Sequence, residues 1–553
     1  MTLFALSILL AVPQVSGGGF DRERTEFGDA AGDLMGAVLG SLADVDGDGV
    51  DEYLASAFAA DFGGLTNAGL VRVWSGASGA LLWEAQGLAD YDEFGIALAT
   101  VEDLDGDGKQ DLAVGLGRGE VQLLSGATGG LIRVLPAPAG AGDFGEALAA
   151  AGDLNGDLVP DLFVGAGDSS LGGQFDQGAV YAIDGLTGAE LWRVDGEGRL
   201  DHFGRAVLSI PDRDGDGLAE CVAAAPLGDV GGVDDVGVVR ILAGSTGAEL
   251  ARFEGGSFRA EFGSALGLAG DHDGDGIVDL VIGAPRDQPA QTPEVGTASV
   301  FSGADDSLIR RYPGAEAGEW MGAAVGSAGD LDEDGIDEVM IGANGAFYGG
   351  RVYHYSGRNG RRLWISESDG FGGDFAAAVH PLGDFDGDGD LDHLIGAPHR
   401  RDLGVDVGAV SLWSFKPFLT ADATSVSDAV GGVVRLFVDF PERSWVFDPA
   451  VSYWTLVSLA GTGPSILLGW EVPLGSDSAY DDSLAGNWPT VLRQPQGRLD
   501  AQGDAVVTLD LPPGVLSGLI GRTLHFAVMH YEGGGSTLLV HGASRPVLID
   551  VLP

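Results

Sequence analysis

Short apolar segments alternate with turns rich in glycine and aspartate along most of the chain. Segments of this length between such turns are typical of β-strands. The segments recur in seven similar units, and each unit contains a pair formed by an aromatic residue or methionine and a small residue, followed by an acidic nonapeptide. The pairs are Met35-Gly36, Phe94-Gly95, Phe144-Gly145, Phe203-Gly204, Phe262-Gly263, Met321-Gly322 and Phe375-Ala376. The nonapeptides occupy residues 44–52, 103–111, 153–161, 212–220, 271–279, 330–338 and 384–392.

Each unit predicts an antiparallel sheet of four strands, named A to D in chain order, with the nonapeptide between strands A and B. Sheets of this size bury their faces when they pack radially, as in a β-propeller. The seventh unit has no D strand after residue 416, and the segment around 20–27 precedes the first A strand without strands of its own. We therefore predict that this N-terminal segment completes the seventh sheet and closes the ring, which leaves no long edge exposed.

The predicted fold is all-β, with a seven-bladed β-propeller of four-stranded antiparallel blades over residues 18–416. From residue 417 to 553 the acidic repeat is absent and alternating strands such as VVRLFVDF at 433–440 continue, which predicts a β-sandwich domain. The apolar stretch LFALSILLAV at 3–12 indicates a signal peptide over residues 1–17, with a buried N-terminal strand as the alternative. We therefore expect a secreted or extracytoplasmic protein.

Charge and cysteine content exclude several functional classes. The chain has 83 acidic residues against 29 lysines and arginines, a formal net charge of -54, so nucleic acid is not an expected partner. The single cysteine, Cys221, excludes a disulfide framework within the chain. No apolar run after the N-terminal segment reaches the ~20 residues of a membrane span, and we expect a monomer without a transmembrane segment.

The acidic nonapeptides are candidate calcium sites. Carboxylates placed so closely repel one another unless a cation lies among them, and sets of oxygen ligands favour hard cations such as Ca²⁺. Positions 1, 3, 5 and 9 offer side chains, position 7 offers a carbonyl, and glycines at positions 4 and 6 permit the sharp turn. The predicted ligand sets are Asp44, Asp46, Asp48, the carbonyl of Val50 and Glu52; Asp103, Asp105, Asp107, the carbonyl of Lys109 and Asp111; Asp153, Asn155, Asp157, the carbonyl of Val159 and Asp161; Asp212, Asp214, Asp216, the carbonyl of Leu218 and Glu220; Asp271, Asp273, Asp275, the carbonyl of Ile277 and Asp279; Asp330, Asp332, Asp334, the carbonyl of Ile336 and Glu338; and Asp384, Asp386, Asp388, the carbonyl of Asp390 and Asp392.

Up to seven structural Ca²⁺ ions follow from this assignment. The third site is predicted to be the weakest, because Asn155 lowers its charge and Leu158 replaces the glycine at position 6. Two alternatives stay open: the loops are metal-free turns capped by their own side chains, or the ions bridge to a ligand instead of serving the fold alone.

The order of the motifs resembles the FG-GAP repeats that form the N-terminal propeller of integrin α chains and occur in related bacterial secreted proteins. The resemblance covers about residues 20–416 and implies the same calcium ligands. It also implies partner binding on the face opposite the acidic loops, where Phe62, Phe175, Arg286, Tyr348, His399 and Arg400 are contact candidates. The C-terminal region resembles a domain found on secreted FG-GAP proteins of environmental bacteria, which brings no known chemistry.

No nucleophile elbow, zinc-binding helix, phosphate loop or dinucleotide fingerprint is present in the sequence. The expected function is therefore a non-catalytic binding or adhesion module for an extracellular protein or glycan ligand. The alternative is an extracellular propeller enzyme, either polysaccharide-degrading or quinone-dependent, because the hairpins at 74–83 and 182–192 resemble the tryptophan hairpins of quinoprotein propellers. An axial cluster of acids or histidines on the face away from calcium would favour the enzyme.

Overall fold

A computed structural model describes residues 16–417 except 171–173, 290–293, 332–334, 346–348, 369–372, 386–390 and 403–404, and strand segments beyond residue 417. The fold is all-β, and seven four-stranded antiparallel sheets form a seven-bladed propeller, as predicted. The strands of the first four blades are β2 Leu39–Leu42, β3 Glu52–Ala57, β4 Leu70–Trp74 and β5 Leu81–Gln86; β6 Leu98–Val101, β7 Asp111–Leu116, β8 Glu120–Leu124 and β9 Leu131–Pro136; β10 Ala147–Gly152, β11 Asp161–Ala166, β12 Ala179–Ile183 and β13 Glu190–Asp195; and β14 Ala206–Ile210, β15 Glu220–Ala225, β16 Val238–Leu242 and β17 Glu249–Glu254.

The remaining blades follow the same order. Their strands are β18 Ala265–Gly270, β19 Asp279–Ala284, β20 Thr297–Phe301 and β21 Leu308–Pro313; β22 Met321–Gly329, β23 Glu338–Ala343, β24 Arg351–Tyr355 and β25 Arg362–Glu367; and β26 Ala378–Leu382, β27 Asp392–Ala397 and β30 Ala409–Pro417, joined by β1 Ser16–Phe27. A short hairpin of β28 Arg401–Asp402 and β29 Val405–Asp406 interrupts the loop between strands B and C of blade 7.

The A strands form the innermost ring of the propeller. Strand A of each blade lies against strand A of the next, from β2 through β6, β10, β14, β18, β22 and β26 and back to β2. Every B strand is buried along its whole length, because it has strands on both sides and blades on both faces. The core therefore consists of apolar layers between neighbouring blades, such as the one where Phe144 meets Tyr181 edge to face at 5.6 Å.

The N-terminal strand closes the ring, which confirms the predicted exchange. β1 pairs antiparallel with β30, from Gly18 opposite Pro417 to Phe27 opposite Ala409, and occupies the D position of blade 7. Residues 1–15, which include most of the predicted signal peptide, lie outside the described residues.

At four junctions between blades, a glycine of strand B closely approaches the glycine in the pair of the next unit. In blade 3, Gly165 lies in strand B, and a Cβ at this position would come within 1.9 Å of the carbonyl oxygen of Gly204 in the next blade. The same approach joins Gly396 of blade 7 to Gly36 of blade 1 across the closure, at 2.1 Å. The pairs of aromatic residue and glycine themselves lie just before strand A in most blades, so they shape the blade interface and not the inner strand.

At five junctions, a second contact joins a blade to the C–D turn of the next blade. A side chain of strand D donates a hydrogen bond to a turn carbonyl of the following blade. The donors are Trp83, Arg133, Trp192, Arg310 and Arg24, and the acceptors are Gly126, Gly185, Gly244, Arg358 and Gly76 respectively. The tryptophans that resemble quinoprotein hairpins thus have a structural role between blades.

Beyond Pro417 the structure describes β31 Leu419–Ala421, β32 Ser425–Ser427, β33 Gly432–Asp439, β34 Ser452–Ser458, β35 Ser465–Leu467, β36 Trp470–Val472, β37 Leu492–Arg493, β38 Gln496–Arg498, β39 Asp504–Leu511, β40 Thr523–Glu532, β41 Leu539–Ser544 and β42 Val547–Leu552. One sheet has the order β31-β33-β39-β37. The strands β34, β38, β40, β41, β42 and β32 pair in a second group, in which β41 also pairs parallel with the start of β1 at Ser16 and Gly17. Much of the predicted sandwich lies outside the described residues, so its packing stays a prediction.

Candidate functional site: the acidic loops

The acidic nonapeptides occupy the loops between strands A and B, next to the C–D turns of the same blade. In blade 1 the hydroxyl of Ser75, in the C–D turn, donates to Asp48 Oδ2 at 3.1 Å. In blade 2 the N–H of Gly126, also in a C–D turn, donates to Asp111 Oδ1 at 3.0 Å. One face of the ring is therefore lined by the acidic loops, and the B–C loops and D–A connections lie on the other.

The first carboxylate of each described loop organises the turn. Asp44 accepts N–H hydrogen bonds from Gly47 at 2.6 Å and Gly49 at 3.0 Å. Both glycines have positive φ, 87° and 93°, which only glycine adopts without steric cost. In blade 2 the N–H of Gly108, followed by that of Gly106, lowers the pKa of the equivalent Asp103.

The last acid of every loop is buried and closes it. Its carboxylate accepts the N–H of the residue at position 2 in all seven loops. The pairs are Val45 with Glu52, Leu104 with Asp111, Leu154 with Asp161, Arg213 with Glu220, His272 with Asp279, Leu331 with Glu338 and Phe385 with Asp392. Burial raises the pKa of Asp161 to about 6 and also raises the pKa of Glu52 and Glu220, so these carboxylates lie where a positive charge would favour ionisation.

The loops bring predicted ligands together in four blades. Ligand atoms lie within 4.8 Å of one another in the groups Asp44, Asp46 and Asp48; Asp103, Asp105 and Asp107; Asp212, Asp214 and Glu220; and Asp271, Asp273 and Asp279. Glu52, Asp111, Asp216 and Asp275 lie outside these groups in their own loops. Asp332, Asp334, Asp386, Asp388 and Asp390 lie outside the described residues, so the sixth and seventh sets are described only in part.

The third loop departs from the others as its sequence indicates. Leu158 has φ 71° and is 89% exposed, whereas glycine holds the corresponding position in the first loop as Gly49. Its N–H donates to Asp153 Oδ2 at 2.8 Å, so the turn forms at the steric cost of a left-handed leucine.

The donor set fits a hard divalent cation. The grouped side-chain atoms are all carboxylate oxygens, the ligand type that calcium prefers. Glu220 is 1% exposed, and its Oε2 has no hydrogen-bond partner among the described residues. A buried carboxylate oxygen without a partner is costly unless a cation completes its surroundings.

The opposite face carries a cluster of carboxylates with a histidine around the loops of blade 3. His202 Nδ1 and Asp168 Oδ1 are 2.8 Å apart, and Glu146 accepts the N–H of Gly167. Burial raises the pKa of Glu146 to about 7, while burial and the neighbouring Asp168 raise the pKa of Asp143 to about 6. Individual acids in the sequence gave no sign of this cluster, because it joins a B–C loop to two D–A connections.

The predicted contact residues on that face are partly exposed. Phe62 is 37% exposed and Phe175 is 55% exposed, with the Arg199 guanidinium 5.7 Å from the ring centroid of Phe175. Arg286 Nε lies 3.0 Å from Glu261, and its guanidinium also covers the Trp320 ring at 5.2 Å. His399 lies within 3.4 Å of Asp406, and Tyr348 lies outside the described residues.

Comparison with known proteins agrees with this architecture. A family model described as an FG-GAP-like repeat matches residues 103–164, from the second acidic loop into strand B of blade 3. A second model, described as an FG-GAP repeat, matches residues 375–413 in blade 7. This chain contains FG-GAP repeats.

Curated relatives of these FG-GAP repeats are integrin α chains. Integrin alpha-5 of Xenopus laevis is 29% identical over 40% of this chain and 22% of its own length. Integrin alpha-PS5 of Drosophila melanogaster is 30% identical over 30% of this chain and 17% of its own length, and integrin alpha-IIb of Homo sapiens is 30% identical over 31% and 17%. The chain thus spans about a fifth of the length of the curated relatives it matches. The likeness is to an integrin α-like propeller.

Two further observations concern the described part of the chain. It contains no helix with the length and hydropathy needed to cross a membrane. Cys221 is buried in strand B of blade 4, and burial raises the pKa of its thiol, which makes the thiol unreactive.

Proposed function

We propose that this FG-GAP propeller is a secreted, calcium-binding, non-catalytic module that binds an extracellular protein or glycan. The observation that carries the calcium proposal is the grouping of carboxylate oxygens within 4.8 Å in four loops, together with the unpartnered Oε2 of Glu220. The ligand proposal draws on the likeness to integrin α chains and on the exposed aromatic residues of the opposite face.

In this proposal each ion supplies positive charge to an A–B loop and so holds strands A and B of one blade together. The residues that would hold it are those predicted from the sequence, with positions 1, 3, 5 and 9 as side-chain ligands and position 7 as a carbonyl ligand. The last acid also accepts a hydrogen bond from the start of its loop, and in blade 2 it accepts one from the C–D turn. Ion binding would therefore stabilise the A–B loop and, in blade 2, the adjacent C–D turn together. Seven ions would offset 14 of the 54 net negative charges, at two charges per ion.

Thermal unfolding of the full chain in millimolar CaCl₂ and in EDTA tests the calcium proposal. At a free calcium concentration tenfold above Kd, each site contributes about 1.4 kcal/mol, so several sites together raise Tm markedly. Magnesium is the control cation, because its smaller octahedral shell suits these loops poorly. An EDTA melt that matches the calcium melt would contradict the proposal.

The ligand proposal is tested on protein and glycan arrays probed with and without calcium. Specific binding that requires calcium is expected, because the ions stabilise the ring that displays the opposite face. Absence of specific binding to either array in the presence of calcium would contradict it.

A polysaccharide-degrading enzyme is the second candidate, because Glu146, Asp143, Asp168 and His202 gather on the face away from the acidic loops and include two carboxyls with raised pKa values. A carboxyl with its pKa near 7 can act as a general acid at neutral pH. Turnover of a polysaccharide that Glu146→Gln abolishes would favour the enzyme, whereas an inactive wild-type protein across a polysaccharide panel would exclude it for that panel.

A further inference from the structure

A cleft of about 200 Å³ opens between blades 3 and 4 on the face opposite the acidic loops. One wall is the D–A connection from blade 3, which includes Gly198 and Asp201. The other wall comes from blade 4, where Val238 lies in strand C and Asp229 in the B–C loop. The volume corresponds to one small ring, which is below the ~300 Å³ at which pockets for drug-sized ligands begin.

The cleft contains both hydrogen-bond acceptors and donors. Glu197, Asp201 and Asp229 contribute carboxylates, and Arg240 and Arg252 contribute guanidinium groups. Arg252 forms two hydrogen bonds with Glu197, each 3.0 Å long. These contacts fix the orientation of the donors before any ligand arrives, which lowers the entropic cost of binding.

Arg240 is also held in place by its neighbours. Its Nε donates to Glu249 Oε2 at 2.5 Å, and its guanidinium lies 4.9 Å from the centroid of the Phe203 ring. Phe203, Ala225 and Val238 contribute apolar atoms to the lining, although each is 5% exposed or less. The cleft therefore combines some apolar lining with fixed polar groups, as small-molecule sites do.

Gly198 lies directly against the Asp201 carboxylate, and both residues line the cleft. The N–H of Gly198 donates to Asp201 Oδ2 at 2.6 Å. A Cβ at residue 198 would lie 2.5 Å from Asp201 Oδ1, so any side chain there would displace the carboxylate or cover it. Asp201 itself is 8% exposed and is thus a largely buried polar group in the lining of the cleft.

The charges of the lining favour a neutral ligand with several hydroxyl groups. An anion would face three carboxylates, and a cation would face two guanidinium groups. A hydroxyl group donates to a carboxylate and accepts from a guanidinium at once, and the C–H face of a sugar ring is apolar. We propose that this cleft binds one neutral pyranose ring of a glycan, an inference that rests on the proposed binding function and specifies its ligand class.

The test is saturation-transfer NMR and calorimetric titration of the full chain in calcium buffer. The probes are the methyl glycosides of glucose, galactose and mannose, with glucuronate and glucosamine as anionic and cationic comparisons. At least one neutral glycoside is expected to bind, and to bind more tightly than both charged sugars. Failure of all three neutral glycosides to bind at concentrations up to about 50 mM overturns the inference.

Asp229→Asn is the site variant, and Asp61→Asn is its matched control. Asp229 accepts the N–H of Asp235 at 3.1 Å, and Asp61 accepts the N–H of Asn67 at 2.8 Å in the equivalent turn of blade 1. Both substitutions keep an oxygen acceptor for the turn, but only Asp229 lines the cleft. Asp229→Asn should weaken glycoside binding about tenfold while Asp61→Asn leaves it unchanged, and equal effects of the two variants would overturn the inference.

The array experiment separates this inference from the proposed function. Binding of a protein or glycan that Asp229→Asn does not weaken would overturn the pyranose site while the binding function stands. Loss of all array binding in the wild-type protein would instead remove the proposed function on which the inference rests, and would overturn both.

Discussion

Replacing Trp192 by phenylalanine should loosen the junction between blades 3 and 4. The Trp192 indole Nε1–H donates to the carbonyl oxygen of Gly244 in the C–D turn of blade 4, at 2.6 Å. Phenylalanine keeps an aromatic ring near Phe163, whose centroid lies 5.8 Å from that of Trp192, but it removes the donor. Loss of one partly buried hydrogen bond costs about 1–1.5 kcal/mol, and the smaller ring adds a packing loss that brings the total to about 2 kcal/mol.

Thermal and chemical unfolding in calcium buffer measure this cost. With an unfolding entropy of about 2.1 cal/mol/K per residue, the roughly 400 residues of a cooperatively unfolding propeller give about 0.8 kcal/mol/K, so Tm should fall by about 2–3 °C. Trp320→Phe is the control, because the Trp320 Nε1 has no hydrogen-bond partner among the described residues. Equal destabilisation by the two variants would refute the role of the indole hydrogen bond.

Three further variants test other parts of the structure. Leu158→Gly should raise the free energy of unfolding by about 0.5–1 kcal/mol, because it removes the steric strain of a leucine in the left-handed backbone conformation at φ 71°. Denaturant titration measures this change, and a decrease would contradict the reasoning. Gly165→Ala should lower the free energy of unfolding by about 3 kcal/mol or more, since the new Cβ would lie 1.9 Å from the carbonyl oxygen of Gly204. Gly256→Ala is the control and should be nearly neutral, because the atom nearest to its Cβ would be 3.6 Å away. Glu146→Gln should become more stable than the wild type as pH rises. The native pKa of Glu146, about 7, lies above the ordinary 4.5, so the wild type loses about 1–3 kcal/mol of its free energy of unfolding as pH rises from 4.5 through 7. Glutamine does not titrate and does not undergo this loss. A Tm difference that does not change between pH 5 and pH 8 would contradict the raised pKa.

The propeller could be predicted from the sequence because each unit repeats the same local information. The periodic acidic loops gave the number of blades, and the missing D strand of the seventh unit predicted the pairing of β1 with β30. Glycines such as Gly165 were visible as part of the repeat, but their role was not, because it depends on the carbonyl of Gly204 in another blade.

The two faces differ in how much the sequence could predict. Candidate ligands in the acidic loops are close in sequence, so spacing alone placed Asp44, Asp46 and Asp48 in one group. The cleft that contains Asp201 and Asp229 joins a D–A connection to a B–C loop of variable length. Such clusters form only when neighbouring blades pack together, and the repeat pattern in the sequence does not show which loop residues then meet.

The number of calcium ions bound per chain tests the central proposal most directly. Equilibrium dialysis of the full chain against radiolabelled Ca²⁺ at millimolar concentration should give several ions per chain, up to seven, all released by EDTA. A variant with Asp212→Asn, Asp214→Asn and Glu220→Gln should bind one ion fewer, because these three acids form a single group in blade 4. Retention of less than one ion by the wild-type chain, or the same count for wild type and variant, would contradict calcium binding by the A–B loops.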